Sequence, residues 1–186
     1  MGKIYFTSDL HFCHDKEFIW KERGFKNVTE MNEAIISNWN SIVQPGDEVY
    51  VLGDLIMNDN ETGIKLIKQL KGSIHIILGN HDTATRKALY EDCYNVVSVD
   101  YALPFKYRGQ NFYLSHYPTL TANGDDEKPL KTRVINLCGH THTKDKWSDM
   151  DKGLIYHVEV DAHDCKPVCI ETILEEIKNY IEKEKK

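Results

Sequence analysis

Seven side chains in five short motifs could do metal chemistry in this sequence: Asp9 and His11, Asp54 after Gly53, Asn80 in Gly79-Asn80-His81-Asp82, His116 after Ser115, and His140 and His142 in Gly139-His140-Thr141-His142. They offer carboxylate and amide oxygens and imidazole nitrogens without a thiolate, a donor set suited to Mn, Fe, Zn or Ni rather than to a cysteine-rich structural zinc. Each motif alone has a plainer reading. Asp-x-His is commonly a turn pair, Gly-Asp a turn, and Ser-His a loop histidine with satisfied hydrogen bonds. Those readings would have to hold independently at five places, so a single shared site is the better account.

The elements that must position these residues are legible from hydrophobic spacing. Four motifs follow apolar runs that read as strands, Ile4 to Thr7, Val49 to Leu52, Ile74 to Leu78 and Phe112 to Leu114, and the fifth follows Val134 to Cys138. In open α/β sheets ligands gather beyond the carboxyl ends of strands, where loops converge, so residues far apart in sequence are predicted to meet. Met31, Ala34, Ile35, Trp39 and Ile42 fall on one helical face, with Thr29 as the predicted N-cap and Gln44-Pro45-Gly46 as the stop. Ile64, Ile67 and Leu70 predict a second helix ending near Gly72, Thr83 to Tyr90 a third, and Ile170 to Ile181 a closing amphipathic one with a fraying polar tail.

The front half thus alternates strand and helix, which predicts parallel strands with crossover helices. The back half, with runs at Val96 to Leu103, Asn111 to Ser115, Val134 to Cys138 and Leu154 to Val160, predicts a second, mixed sheet. Tyr117 to Lys131 lacks periodicity and reads as a surface loop, beside His116, that could act as a lid.

The chain has 186 residues, 41% hydrophobic and 28% charged, which fits one globular domain over 1–186. A net charge of −6 argues against coating nucleic acid by bulk electrostatics, leaving nucleic acid only as a substrate. The start runs directly into a strand, and no run approaches the roughly 18 apolar residues of a membrane span, so a cytoplasmic protein without a membrane partner is expected. Five scattered cysteines suit reduced thiols. Nothing in the sequence indicates an oligomeric state.

In this order the five motifs resemble the calcineurin-like metallophosphoesterases, whose pattern is Asp-x-His, Gly-Asp, Gly-Asn-His-Asp or Glu, a lone His, and Gly-His-x-His. The match runs from position 9 to 142, and no ligand of the pattern is missing. The wording around it, Ser8-Asp9-Leu10-His11-Phe12-Cys13-His14, Asn38-Trp39-Asn40, Val51-Leu52-Gly53-Asp54 and Leu114-Ser115-His116-Tyr117-Pro118, is similar to small single-domain members from bacteria and their phages.

The resemblance implies an α/β fold, a four-layer α/β/β/α sandwich with two mixed β-sheets, holding two divalent metal ions. Mn is the first candidate, with Fe, Zn or Ni as alternatives. By matched position, Asp9, His11 and His142 hold one ion, Asn80, His116 and His140 the other, and Asp54 bridges them. A hydroxide between the ions would attack phosphorus in line. His81 would protonate the leaving oxygen or stabilise its charge. Asp82 would orient the His81 ring, or cap the helix after Thr83.

Two further residues are candidates for substrate contact. Arg23 resembles an arginine that precedes an aromatic in related members and would clamp a phosphate, with an exposed helix-end Arg as the alternative. His14, near His11, would touch the phosphate, with a surface histidine or one supporting the ligands as the alternative. His163 receives no role, and His75 and His157 read as structural.

The implied activity is hydrolysis of phosphoesters, leaning to a phosphodiesterase with a small or nucleotide-like substrate. The alternatives are a phosphomonoesterase or nuclease of the same family, or a non-catalytic metal-binding scaffold. The scaffold reading suffers from the presence of His81, because a scaffold relative with the same sandwich lacks the corresponding histidine.

Overall fold

The computed structural model describes residues 2–121, 133–149 and 153–184. Its first sheet is built from β1 (Ile4–Thr7), β2 (Glu48–Leu52), β3 (Ser73–Ile77) and β4 (Val96–Asp100), joined in parallel, with β10 (Val168–Cys169) antiparallel on the far side of β1. The crossovers carry α2 (Val28–Ile42), α3 (Asn60–Ile67) and α4 (Ala84–Glu91), and a short α1 (Glu17–Trp20) precedes α2. Alternation along the strands divides the core. Tyr5, Val49, Val51, Ile74 and Ile76 pack with Met31, Ile35, Trp39, Ile67 and Tyr90 of the crossover helices. Phe6, Tyr50, Leu52 and Ile77 point the other way, into a second cluster with Phe112, Leu114, Ile135 and Leu137. Strands covered on both faces account for runs such as Val49 to Leu52 that are apolar throughout.

The second sheet has the order β5 (Ala102–Tyr107), β6 (Gln110–Ser115), β7 (Val134–Cys138), β9 (Ile155–His157), β8 (Trp147–Ser148) and mixes parallel with antiparallel pairs. The closing helix α5 (Ile170–Glu184) contributes Ile170, Ile173 and Ile177 to the second cluster, and its Glu176 accepts hydrogen bonds from Lys146 and Tyr156. The architecture is therefore α/β with two mixed sheets, as the resemblance implied. No helix among the described residues is long and apolar enough to cross a membrane.

Several local expectations are corrected. The N-cap of α2 is Asn27, not Thr29: its amide oxygen accepts the Glu30 N–H at 2.8 Å, and the Glu30 carboxylate reaches back to the Lys26 N–H. The second helix ends at Ile67 rather than near Gly72, because the buried Asn95 amide donates to the carbonyls of Ile67 and Leu70 and draws the chain out of the helix. The run from Val96 to Leu103 is two strands. Asp100 still pairs with Ile77 of the first sheet, whereas Ala102 already pairs with Ser115 of the second. Strands β8 and β10 and helix α1 carry too few residues to show a period. Most of the candidate lid lies outside the described residues.

Candidate metal centre

The loops after β1, β2, β3, β6 and β7 all leave the same edge of the two sheets, and backbone hydrogen bonds lace them together. The N–H groups of Asp9 and His11 donate to the carbonyls of Gly53 and Asp54, and that of Gly139 to His116. Five of the predicted ligands, Asp9, His11, Asp54, His140 and His142, sit at positive φ between 50° and 77°. Non-glycine residues there cost about 1 kcal/mol or more each, a strain that persists only where surrounding contacts over-determine it. The motif glycines serve the same convergence. A Cβ on Gly79 would meet Asp54 Oδ1 at 2.2 Å, and one on Gly139 would meet Asp9 Oδ2 at 2.3 Å. Only a residue without a side chain lets these loops approach the carboxylates.

Seven donor atoms converge here. Asp9 Oδ1 lies 3.7 Å from His11 Nε2 and 3.8 Å from His142 Nε2. These distances are too long for hydrogen bonds and short enough for one ion to be shared. Asp54 Oδ2 lies 3.7 Å from His11 Nε2 and 3.5 Å from His116 Nε2, so a single oxygen faces both halves of the cluster. Asn80 Oδ1 is 2.9 Å from both His116 Nε2 and His140 Nδ1. Asp9, His11, Asp54 and His116 are buried, and Asp9 Oδ1 and His11 Nε2 have no hydrogen-bond partner among the described residues. Buried polar atoms left unpaired are costly; a cation between them satisfies both. The residues present fit divalent ions.

Three of the imidazoles have their second nitrogen engaged, which sets the tautomer. His116 Nδ1 donates to the Leu52 carbonyl at 2.8 Å and His142 Nδ1 to Asp161 Oδ2 at 3.0 Å, leaving each Nε2 lone pair for a metal. His11 Nδ1 faces His14 Nδ1 at 2.8 Å. For His11 to ligate through Nε2, its Nδ1 must carry the proton and His14 must accept it. Burial, together with neighbouring His11, pushes the His14 pKa down to about 4, so its ring is neutral and can accept. Burial likewise lowers the pKa of His11. At His142 burial opposes protonation, but the Asp161 hydrogen bond and the negative charge of Asp9 outweigh it and raise the pKa.

His81 sits at the rim of this cluster with its side chain 44% exposed and Nε2 3.9 Å from Asp54 Oδ2. Its main chain is pinned on both sides: the N–H donates to Asp54 Oδ1 at 2.9 Å, and the carbonyl accepts from Arg86 Nη1 at 2.5 Å. Arg86 is held in turn by Asn60.

Two substrate-side or catalytic expectations are overturned. Asp82 does not orient the His81 ring. Its Oδ2 accepts the N–H groups of Asp54 and Gly79, both at 2.8 Å, and its Oδ1 accepts the Tyr90 hydroxyl at 2.7 Å. It clamps the β2 and β3 loops together, while Thr83 caps α4. Arg23 is not a free phosphate clamp. Its side chain is 2% exposed, and its fork makes two bonds to Asp161, at 2.9 and 2.8 Å. The remaining donors reach the carbonyls of Leu10 and Asp9 and the Met31 sulfur. All five N–H directions are used within the protein. His14 is 8% exposed, with its ring stacked on that of His11 at 5.1 Å between centroids, so it is not a surface histidine.

Asp161 is the residue that sequence reasoning missed. Burial alone would raise its pKa, yet hydrogen bonds from His142 and Arg23 and the Arg23 charge hold it well below the usual carboxylate range. Its arginine partner lies 138 positions away, so no spacing could signal the pair. Thr141, between His140 and His142, is anchored similarly by fully buried Glu159 at 2.8 Å. His163 bonds the His157 carbonyl and His75 bonds Ser98, both structural uses.

An Asp161→Asn variant is expected to bind divalent metal about 10- to 100-fold more weakly, the usual cost of losing a carboxylate behind a ligand histidine. Calorimetric metal titration measures this; unchanged affinity would show that His142 needs no carboxylate behind it.

Comparison with known proteins places the chain in a family and a fold. The pattern of the calcineurin-like phosphoesterase family matches residues 2–177. An uncharacterized protein of Methanocaldococcus jannaschii is 34% identical over 179 residues, covering 94% of this chain and 90% of that protein. The Gene 66 protein of Mycobacterium phage D29 is 27% identical, covering 90% of this chain and 93% of its own. Among solved structures, a protein of unknown function from Aquifex aeolicus superposes with a TM-score of 0.71 at 24% identity, over 95% of this chain and all of the other, which shows a shared fold.

Proposed function

The chain belongs to the calcineurin-like phosphoesterase family, and on that premise we propose that it is a dinuclear phosphodiesterase acting on small, nucleotide-like diesters. The observation that carries the reading is the position of Asp54 Oδ2, shared between the His11 side and the His116 side of the cluster. When bound, two divalent ions, Mn²⁺ first among them, supply Lewis acidity and lower the pKa of a water that can act as nucleophile.

The chain's own residues do the rest. Asp9, His11, His142, Asn80, His116 and His140 hold their lone pairs toward a common centre. His81 presents a solvent-accessible ring on a rigid main chain, able to give a proton to a departing alkoxide. Preference for diesters follows from charge. Arg23 has every donor engaged, so it offers nothing to a dianionic monoester, whereas a monoanionic diester asks less of the site. The net charge of −6 also disfavours long nucleic acid as substrate.

A direct test compares bis(p-nitrophenyl) phosphate with p-nitrophenyl phosphate on Mn²⁺-loaded protein. The diester is expected to be hydrolysed with kcat/KM at least about tenfold higher, the scale of one lost charge-assisted contact. Equal or reversed efficiencies would overturn the diester preference.

A further inference from the structure

Large apolar rings are exposed at the rim of the metal centre. Tyr117 is 52% exposed and Phe18 66%. Single exposed aromatics are ordinary, so position must decide what they mean. Among the described residues the ring contact of Phe18 is with His14, edge to face at 5.8 Å between centroids, one ring further out than His11. Tyr117 directly flanks two of them, edge to face, with its centroid 4.6 Å from His140 and 5.2 Å from His116.

The Tyr117 main chain is also held in place. Its carbonyl accepts from Ser115 Oγ at 2.7 Å and Thr119 Oγ1 at 3.0 Å. Pro118 follows it and restricts its backbone to extended conformations. A half-exposed aromatic ring on a fixed main chain, packed against His140 and His116, loses less entropy than a freely rotating one when a flat group settles on it. A planar heterocycle linked to the phosphorus through a short sugar-sized spacer would reach that face.

We propose that Tyr117 is a stacking residue for the base of a nucleotide-type phosphoester, and so sets which esters the centre accepts. This rests on the phosphoesterase reading and deepens it. The Tyr117 hydroxyl is not required, since stacking uses the ring face, and every nucleobase offers one.

The test measures binding, so that it does not depend on turnover. Mn²⁺-loaded wild type, Tyr117→Ala and Tyr117→Phe are titrated calorimetrically with a nucleoside 5′-methylenephosphonate, whose C–P bond resists hydrolysis, and with methylphosphonate, which carries the same headgroup and no ring. The nucleoside ligand is expected to bind the wild type more tightly than methylphosphonate. Tyr117→Ala should weaken it about tenfold while leaving methylphosphonate within about twofold, and Tyr117→Phe should retain both affinities. Equal weakening of both ligands by Tyr117→Ala would overturn the proposal in favour of a role in propping His140 and His116. Loss in Tyr117→Phe as large as in Tyr117→Ala would overturn it in favour of the hydroxyl. Absence of metal-dependent hydrolysis in the wild type would instead sink the phosphoesterase reading and leave the binding comparison interpretable.

Discussion

Protein stripped of divalent ions is expected to lose phosphoester hydrolysis completely and to regain it when Mn²⁺ is returned. The reason lies in the donor atoms. Asp9 and Asp54 are 0% and 2% exposed, and Asp9 Oδ1 and His11 Nε2 have no hydrogen-bond partner among the described residues. Two buried carboxylates beside an unpaired imidazole nitrogen are unfavourable until a cation joins them. Metal should therefore stabilise the fold as well as enable the chemistry. At free metal near a thousand times Kd, linkage gives about 4 kcal/mol, visible as a large rise in Tm. Elemental analysis showing at most one tightly held ion per chain, with no metal-dependent hydrolysis of any aryl phosphoester, would refute the two-ion reading.

His81→Gln is expected to keep its metal and lose turnover by about 10² or more on a diester with an alkoxide leaving group, the usual scale of a lost general acid. The geometry favours a clean experiment. The His81 main chain is fixed by Asp54 Oδ1 and Arg86 whatever the side chain, and the exposed ring leaves no cavity when replaced. A p-nitrophenolate leaves without needing a proton, so the defect should shrink on nitrophenyl esters. Unchanged turnover on the alkyl diester would remove His81 from the mechanism, and parallel loss of metal would make it a ligand.

How far the site could be read from sequence depended on what kind of contact each residue makes. Asp9, His11, Asp54, Asn80, His116, His140 and His142 announce themselves because a ligand must be one of a few residue types, and because each lies just past an apolar run. Strand placement and the two-sheet division were legible for a related reason: burial on both faces forces unbroken apolar runs at Val49 to Leu52 and Ile74 to Leu78. The chain's switch between sheets at Tyr101 was not, since both sides of it are equally strand-like.

Arg23 and Asp82 show where reading by type stops. An arginine near an aromatic and an acid beside a candidate catalytic histidine suggest contact with phosphate and imidazole. In the folded protein their partners are Asp161, Tyr90 and main-chain groups of the ligand loops. The sequence by itself determined the donor set, its order and the strand ends that carry it, because those are written in residue type and local period. Only the tertiary structure decided which groups hold the donors still, since those hydrogen bonds join residues up to 138 positions apart and leave no periodic trace.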